Sequence, residues 1–265
     1  MAGTKRTHTD METPSDINNG SPYLPIFETF KAELDTHHDR RERIIKASRD
    51  VTAFSKKVIF ALQRTKNIGQ TPLLSHDKRA QADVAKLKQQ INDTFNSVKD
   101  DLQGINAYRY SRQISSGIQE FMEAALFEHY LSEQKLLTHD EAAALFPEGI
   151  MLTHEDYALG LFDVTGELMK ISITSLATQG KLPGKAGCAP VLTDMQIMRT
   201  QMELVDAGHG YLGKQFEDKL RTTRQSTEKV EGSVYSMMVR GSERPKGWRP
   251  EVDIQPRGQE EVESY

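Results

Sequence analysis

Four acidic residues stand at spacings that could support chemistry. Glu120 and Glu123 are one turn apart in a stretch that has no proline and repeats its apolar residues at three- and four-residue steps, as a helix does. At 100° per residue, an arc of about 80° on one side of this helix contains Arg112, Ser116, Glu120, Glu123 and Phe127. Like charges at this spacing repel each other. Solvent, a shared proton or a cation could relieve that repulsion.

A second acidic pair, Asp163 and Glu167, is spaced by four residues in a later helical pattern. One narrow stripe of that helix contains Asp156, Asp163, Glu167, Lys170 and Thr174. A solvated amphipathic helix shows the same stripe opposite its apolar face, so the pair alone does not indicate a site. If the two helices pack antiparallel, however, all four carboxylates could face one another.

Four converging carboxylates would need cations, and oxygen-only ligands suit Mg²⁺ or Mn²⁺ better than zinc. Such a cluster could hold two ions about 3.5–4 Å apart and hydrolyse a phosphodiester. Arg112 lies two turns before the glutamates on the same side, where it could bind a phosphate. A di-iron site needs Glu-x-x-His, which does not occur, and there is no Walker-type glycine loop.

The charge distribution matters more than the formal net charge of −4. Between residues 40 and 66, nine basic residues, among them Arg49 and Lys56, stand against only Glu42 and Asp50. This local excess could bind an anionic partner, although solvated helix surfaces often carry similar runs.

The remaining composition indicates where the protein works. Cys188 is the one cysteine in 265 residues, which excludes an intrachain disulfide and favours a reducing, intracellular compartment. No apolar run is long enough to span a membrane, and the first residues are too polar for a signal peptide. We expect disordered tails at residues 1–21 and 242–265, which contain too little apolar surface or too many prolines and charges to fold.

The periodicity predicts an all-α fold over residues 22–241, with about six long helices and one short helix in an antiparallel bundle. The first helix, of some 40 residues, carries Ile44, Val51 and Val58 at spacings of seven. The third is expected from Tyr108 to Gln134. Capping side chains are predicted at Ser75 or Asp77, Thr138, Thr153 and Thr193, and Gly180 and Gly241 are predicted to end helices.

Four sequence blocks resemble the translin family, and they occur in the family's order. The first is HHDRRERIIKASRDVTAFSKKVIF at residues 37–60. The others are YSRQISSGIQEFMEA at 110–124, DYALGLFDVTGELM at 156–169 and KVEGSVYSMMVRGSE at 229–243. The resemblance is strongest to the catalytic branch of the family.

This resemblance implies a seven-helix bundle that assembles with translin subunits into a closed hetero-octameric shell. It also implies a Mg²⁺-dependent endoribonuclease that cleaves single-stranded and small RNAs, including passenger strands of small-RNA duplexes and tRNA processing fragments. The family's catalytic, metal-binding carboxylates would be Glu120, Glu123, Asp163 and Glu167. Phosphates of RNA would be held by Arg112, Arg109, Arg49 and Lys56.

The resemblance further implies a protein of both cytoplasm and nucleus. A different class of function stays open beside the enzyme. Translin itself binds nucleic acid without this set of carboxylates, so the chain could be a non-catalytic scaffold that binds RNA or single-stranded DNA and stabilises its translin partner.

Overall fold

The computed structural model describes residues 22–241. The two expected tails lie outside this range, and Gly241, the predicted end of the last helix, is its final residue. The described residues form eight α-helices, one 3-10 turn and no strand. The helices are α1 Leu24–Leu62, α2 Lys78–Val98, α3 Ile105–Arg109, α4 Ser111–Glu133, α5 His139–Ala143, α6 His154–Gln179, α7 Val191–Glu203 and α8 Tyr211–Gly241. The predicted all-α fold is confirmed. The extra helix is the short α3, which Tyr110 separates from α4.

The chain divides into two compact units after Arg43, within the length of α1. In the first unit, α1 exposes Phe27, Phe30 and Leu34. The rings of Phe27 and Phe30 meet edge to face with centroids 6.4 Å apart. This part of the helix therefore carries an apolar stripe that its own unit does not bury.

The second unit, from Ile44 onward, contains the hydrophobic core. Ile44, Val51 and Val58 are all buried there, as their spacing by sevens predicts. None of the helices in residues 22–241 is long and apolar enough to cross a membrane.

Three predicted helix starts are confirmed by their side-chain caps. Asp77 accepts a hydrogen bond from the backbone N–H of Ala80 at 2.9 Å, and Thr153 caps α6. Thr138 forms a capping box with Glu141. At the other end of α6, Gly180 adopts the left-handed conformation, with φ 68°.

The predicted cap at Thr193 is wrong, because α7 already begins at Val191 after an extended Pro190. The sequence pattern extends this helix to about Tyr211, and this prediction is also wrong, since α7 stops at Glu203. Beyond it, the carboxylate of Asp206 accepts a hydrogen bond from the backbone N–H of Gly208, closing a turn. A local side-chain turn thus replaces the helix that periodicity favoured.

Helix directions follow from the residues that meet. On α7 and α8, Glu203 pairs with Arg224 while Gln196 reaches Glu231, so these helices are antiparallel. Ser115 of α4 contacts Asp156 of α6, and further along both helices Met122 lies against Gly160. Helices α4 and α6 therefore run in the same direction. The antiparallel pairing considered for these two helices is therefore not the one found. The connection through α5 is long enough to return the chain to the same end of the bundle.

Candidate functional site

The contact between α4 and α6 is set by a glycine. A Cβ atom at Gly160 would lie 2.7 Å from Cβ of Met122 and 3.0 Å from the carbonyl oxygen of Gln119. These distances are shorter than carbon and oxygen atoms tolerate, so the close approach of the helices needs a residue without a side chain. Glu120 and Glu123 lie on the same turns of α4, which brings them up against α6.

A buried polar network fixes the beginning of the same interface. Asp156 is only 6% exposed. Its carboxylate accepts hydrogen bonds from Ser115 at 2.5 Å, from Gln119 at 2.9 Å and from the hydroxyl of Thr153 at 2.9 Å. Because two of these donors belong to α4, the network locks the register of α4 against α6.

The four predicted carboxylates, Glu120, Glu123, Asp163 and Glu167, form what we term the acid cluster. Burial raises the pKa of Glu123 to about 8, and the charges of Asp163, Glu120 and Glu167 add to the shift. Burial also raises the pKa of Glu120, with Lys56 opposing the shift and Asp163 adding to it. The carboxylates of Asp163, Glu120 and Glu167 therefore lie close enough to Glu123 for their charges to oppose its ionisation.

The stripe on α6 is solvated only in part, because Lys170 and Thr174 are exposed whereas Asp156 and Glu167 are buried. Glu167 is 5% exposed, although the side chain of Asp163 retains 39% of its exposure. Charged side chains are rarely buried, so a buried glutamate on this helix indicates a site rather than a solvated surface.

Three lysines from three different helices contact the acid cluster. Nζ of Lys56 lies 3.7 Å from Glu120, Nζ of Lys170 lies 2.5 Å from Glu167, and Nζ of Lys219 lies 2.5 Å from Asp163. The amide of Gln63 also donates a hydrogen bond to Glu167 at 2.5 Å. The chain thus supplies most of the positive charge that four neighbouring carboxylates require.

The chemistry of the acid cluster fits a hard divalent cation, since it offers only carboxylate oxygens, and burial, with a smaller contribution from the Asp163 charge, raises the pKa of Glu120 and Glu123. As they are placed here, however, the four carboxylates do not form a metal-binding arrangement. Across residues 22–241, no three side chains of histidine, cysteine, aspartate or glutamate are placed to share one ion. An ion would have to displace the ammonium groups, with the carboxylates turning toward it.

The four predicted phosphate-binding residues are all exposed, but one of them is paired with a carboxylate of the acid cluster. Arg109, Arg112 and Arg49 are exposed, the first two close together along the chain where α3 meets α4. Lys56 is exposed as well, but it is the partner of Glu120 and therefore belongs with the acid cluster. Tyr108, which is 71% exposed, stands directly beside Arg109.

Sequence reasoning missed Lys219, Gln63 and Tyr108. Lys219 and Gln63 lie 56 and 104 residues from the carboxylates they contact, and nothing local marks them. Tyr108 could have been found, because an aromatic residue between apolar and basic neighbours is typical of surfaces that bind single-stranded nucleic acid.

Comparison with known proteins places the sequence among relatives. The sequence profile described as the Translin family matches residues 39–241. The chain is 29% identical over 267 residues to Translin-associated protein X of Pongo abelii, covering 90% of this chain and 86% of that protein. It is 28% identical to the Translin-associated protein X homolog of Schizosaccharomyces pombe, covering 82% of this chain and 89% of that protein.

Solved structures share the fold. The crystal structure of apo-NeC3PO is similar with a TM-score of 0.61 at 14% identity, covering 83% of this chain and all of that one. The structure of AfC3PO in complex with duplex RNA is similar with a TM-score of 0.54 at 18% identity, covering 82% of this chain and 99% of that one.

Proposed function

The chain belongs to the translin family, and from this premise we propose that it is the RNA-cleaving subunit of a translin-type assembly. The observation that carries the proposal is the acid cluster, where burial and then the charges of Asp163, Glu120 and Glu167 raise the pKa of Glu123 to about 8. Surface carboxylates with a purely solubilising role have no reason to be held in this way.

Glu120, Glu123, Asp163 and Glu167 would hold Mg²⁺, or Mn²⁺ in its place. When bound, such an ion activates a water molecule and stabilises the leaving oxygen of a phosphodiester. Gly160 and the Asp156 network keep α4 and α6 in register, so that the two carboxylate pairs stay opposed.

RNA binding is supported by the chain's own surface. Arg109 and Arg112 would bind phosphates at the start of α4, with Arg49 on α1 adding a further cation. Exposed Tyr108 would stack on a base beside them. Such contacts are largely independent of sequence, which suits single-stranded and small RNAs such as passenger strands and tRNA processing fragments. A related solved structure, AfC3PO, carries duplex RNA.

Assembly with translin subunits, in a hetero-octameric shell, is supported by apolar side chains left at the surface. Tyr235 and Met238 on α8 are 68% and 71% exposed, and Phe27 and Leu34 on α1 are 67% and 68% exposed. Large apolar residues in such number are typical of subunit interfaces.

The test is cleavage of a labelled single-stranded RNA by the full-length chain, co-purified with a translin subunit, in Mg²⁺ and in chelator. Asp163→Asn should abolish Mg²⁺-dependent cleavage, because it removes a ligand charge while keeping the shape of the side chain. Asp93→Asn, at an exposed position on α2, is the matched control and should cleave normally. Cleavage at the wild-type rate by the Asp163→Asn complex would rule the proposal out.

One observation favours a second candidate, a non-catalytic scaffold that binds RNA or single-stranded DNA and stabilises translin. The three lysines already neutralise most of the acid cluster, as a purely structural ion network would. On this account both aspartate variants bind RNA equally well, and neither they nor the wild type cleaves it in Mg²⁺.

A further inference from the structure

Lys219 reaches the acid cluster from a helix that contributes no carboxylate to it. Its ammonium nitrogen lies 2.5 Å from Oδ2 of Asp163, and the two side chains retain 27% and 39% of their exposure. The pair is therefore partly open to water, and an ion or a phosphate can approach it from solvent.

The backbone that carries Lys219 is firmly held. On one side of it, the rings of Phe162 and Phe216 meet edge to face with centroids 4.5 Å apart. On the other, the hydroxyl oxygens of Thr165 and Thr223 are 3.1 Å apart and buried. The root of the side chain is thus fixed against α6, while its flexible four-carbon stem can turn.

A divalent cation and an ammonium group compete for the same carboxylate oxygen. A cation that binds Asp163 must displace Lys219, because the two positive charges repel each other at such short range. The displaced ammonium group remains tethered next to the acid cluster. In the proposed function this is also where the negatively charged phosphodiester must lie, and a charge-assisted hydrogen bond to phosphate would replace the one that was lost.

We propose that Lys219 alternates between two partners, neutralising Asp163 when no divalent cation is bound and binding an RNA phosphate once a cation has taken Asp163. Lys219 would then both protect the empty site and help to position the substrate in the loaded one. The inference rests on the proposed function, because it assumes that the acid cluster binds a cation.

The first measurement is metal affinity without RNA, by calorimetric titration of Mn²⁺ into the full-length chain in its purified assembly. K219M removes the competing charge but keeps most of the apolar stem, and should bind Mn²⁺ about three- to tenfold more tightly. K219Q should show the same gain. K229M, at an exposed lysine on the same helix, is the matched control and should be unchanged. Lysine with a merely structural role would not give tighter metal binding when removed.

The second measurement is the salt dependence of RNA binding, recorded while a denaturing gel shows the RNA to be intact. In Mg²⁺, K219M should lose about 0.7 from the slope of log K against log salt, the value of one phosphate contact on a single strand. In chelator its slope should equal that of the wild type, because Lys219 is then held by Asp163.

These outcomes separate the inference from the proposed function. Unchanged Mn²⁺ affinity in both Lys219 variants would overturn the inference alone, as would a slope that changes equally with and without Mg²⁺. Failure of the wild type to bind Mn²⁺ at all would overturn the proposed function and the inference with it.

Discussion

Replacing Glu123 with glutamine should stabilise the metal-free protein at alkaline pH. The side chain of Glu123 is half-buried, and its ionised form is opposed first by that burial and then by the charges of Asp163, Glu120 and Glu167. Glutamine has nearly the same shape and never ionises. The variant therefore removes the electrostatic cost while leaving the packing of α4 against α6 in place.

The magnitude follows from the pKa of about 8, against an ordinary value of 4.5. Each pKa unit corresponds to about 1.4 kcal/mol. The increase in the free energy of unfolding on replacing ionised Glu123 therefore has an upper limit of about 5 kcal/mol. Water and the nearby lysines screen a half-buried cluster, so we expect about 2–3 kcal/mol.

The direction of the pKa shift determines how stability changes with pH. Because the pKa of Glu123 is raised in the folded protein, its favourable contribution to stability is complete below pH 4.5, the ordinary pKa. That contribution is lost as pH rises through about 8. The wild type in chelator should therefore lose stability between pH 5 and pH 9, whereas Glu123→Gln should lose less. At about pH 9 the variant should melt roughly 5–10 °C higher.

The assay is thermal and urea unfolding in chelator, followed by circular dichroism at both pH values. Glu128→Gln is the matched control, since Glu128 lies on the same helix but is paired with Lys88 at 2.9 Å. It should be neutral or slightly destabilising at both pH values. If Glu123→Gln is no more stable than the wild type at pH 9, burial and the neighbouring carboxylates do not oppose ionisation of Glu123. The acid cluster would then not be the site described above.

Three further variants test the elements around the site. Gly160→Ala should lower the free energy of unfolding by about 1–3 kcal/mol in urea, because its Cβ would overlap α4, and should reduce RNA cleavage by shifting α6. Asp156→Ala should cost about 2–3 kcal/mol in the same measurement, since it leaves three half-buried donors without their acceptor. Tyr108→Ala should weaken filter binding of single-stranded RNA by about 1–2 kcal/mol while Tyr108→Trp retains it, and unchanged binding by the alanine variant would place the bases elsewhere.

Features that depend on a few neighbouring residues could be predicted from the sequence. The caps at Asp77, Thr138 and Thr153 are formed by side chains that reach backbone groups three residues away, so local sequence contains all that decides them. Thr193 is not a cap because α7 begins two residues earlier, at Val191, so that Thr193 already lies in the first turn. Burial of Ile44, Val51 and Val58 could also be predicted, because these residues recur every seven positions.

The arrangement around the carboxylates was only partly accessible. Their spacing identified the two pairs, and the close approach that opposes the pairs depends on Gly160, whose role appears only when α4 is in place. The lysine partners could not be predicted, because Lys219 meets Asp163 through the packing of α8 on α6 rather than through any sequence pattern. Contacts that join distant segments are decided by the whole core, not by spacing.

The three lysine contacts determine whether the protein needs a metal ion in order to fold. Zinc-finger domains stay unfolded until their metal arrives, because nothing else offsets the cost of bringing their ligands together. Here Lys56, Lys170 and Lys219 offset that cost from within the chain. We therefore expect the chain to fold without a bound divalent ion. Under the proposed function an ion would be required only for RNA cleavage, so the supply of Mg²⁺ would govern the activity of the protein and not the amount of it that folds.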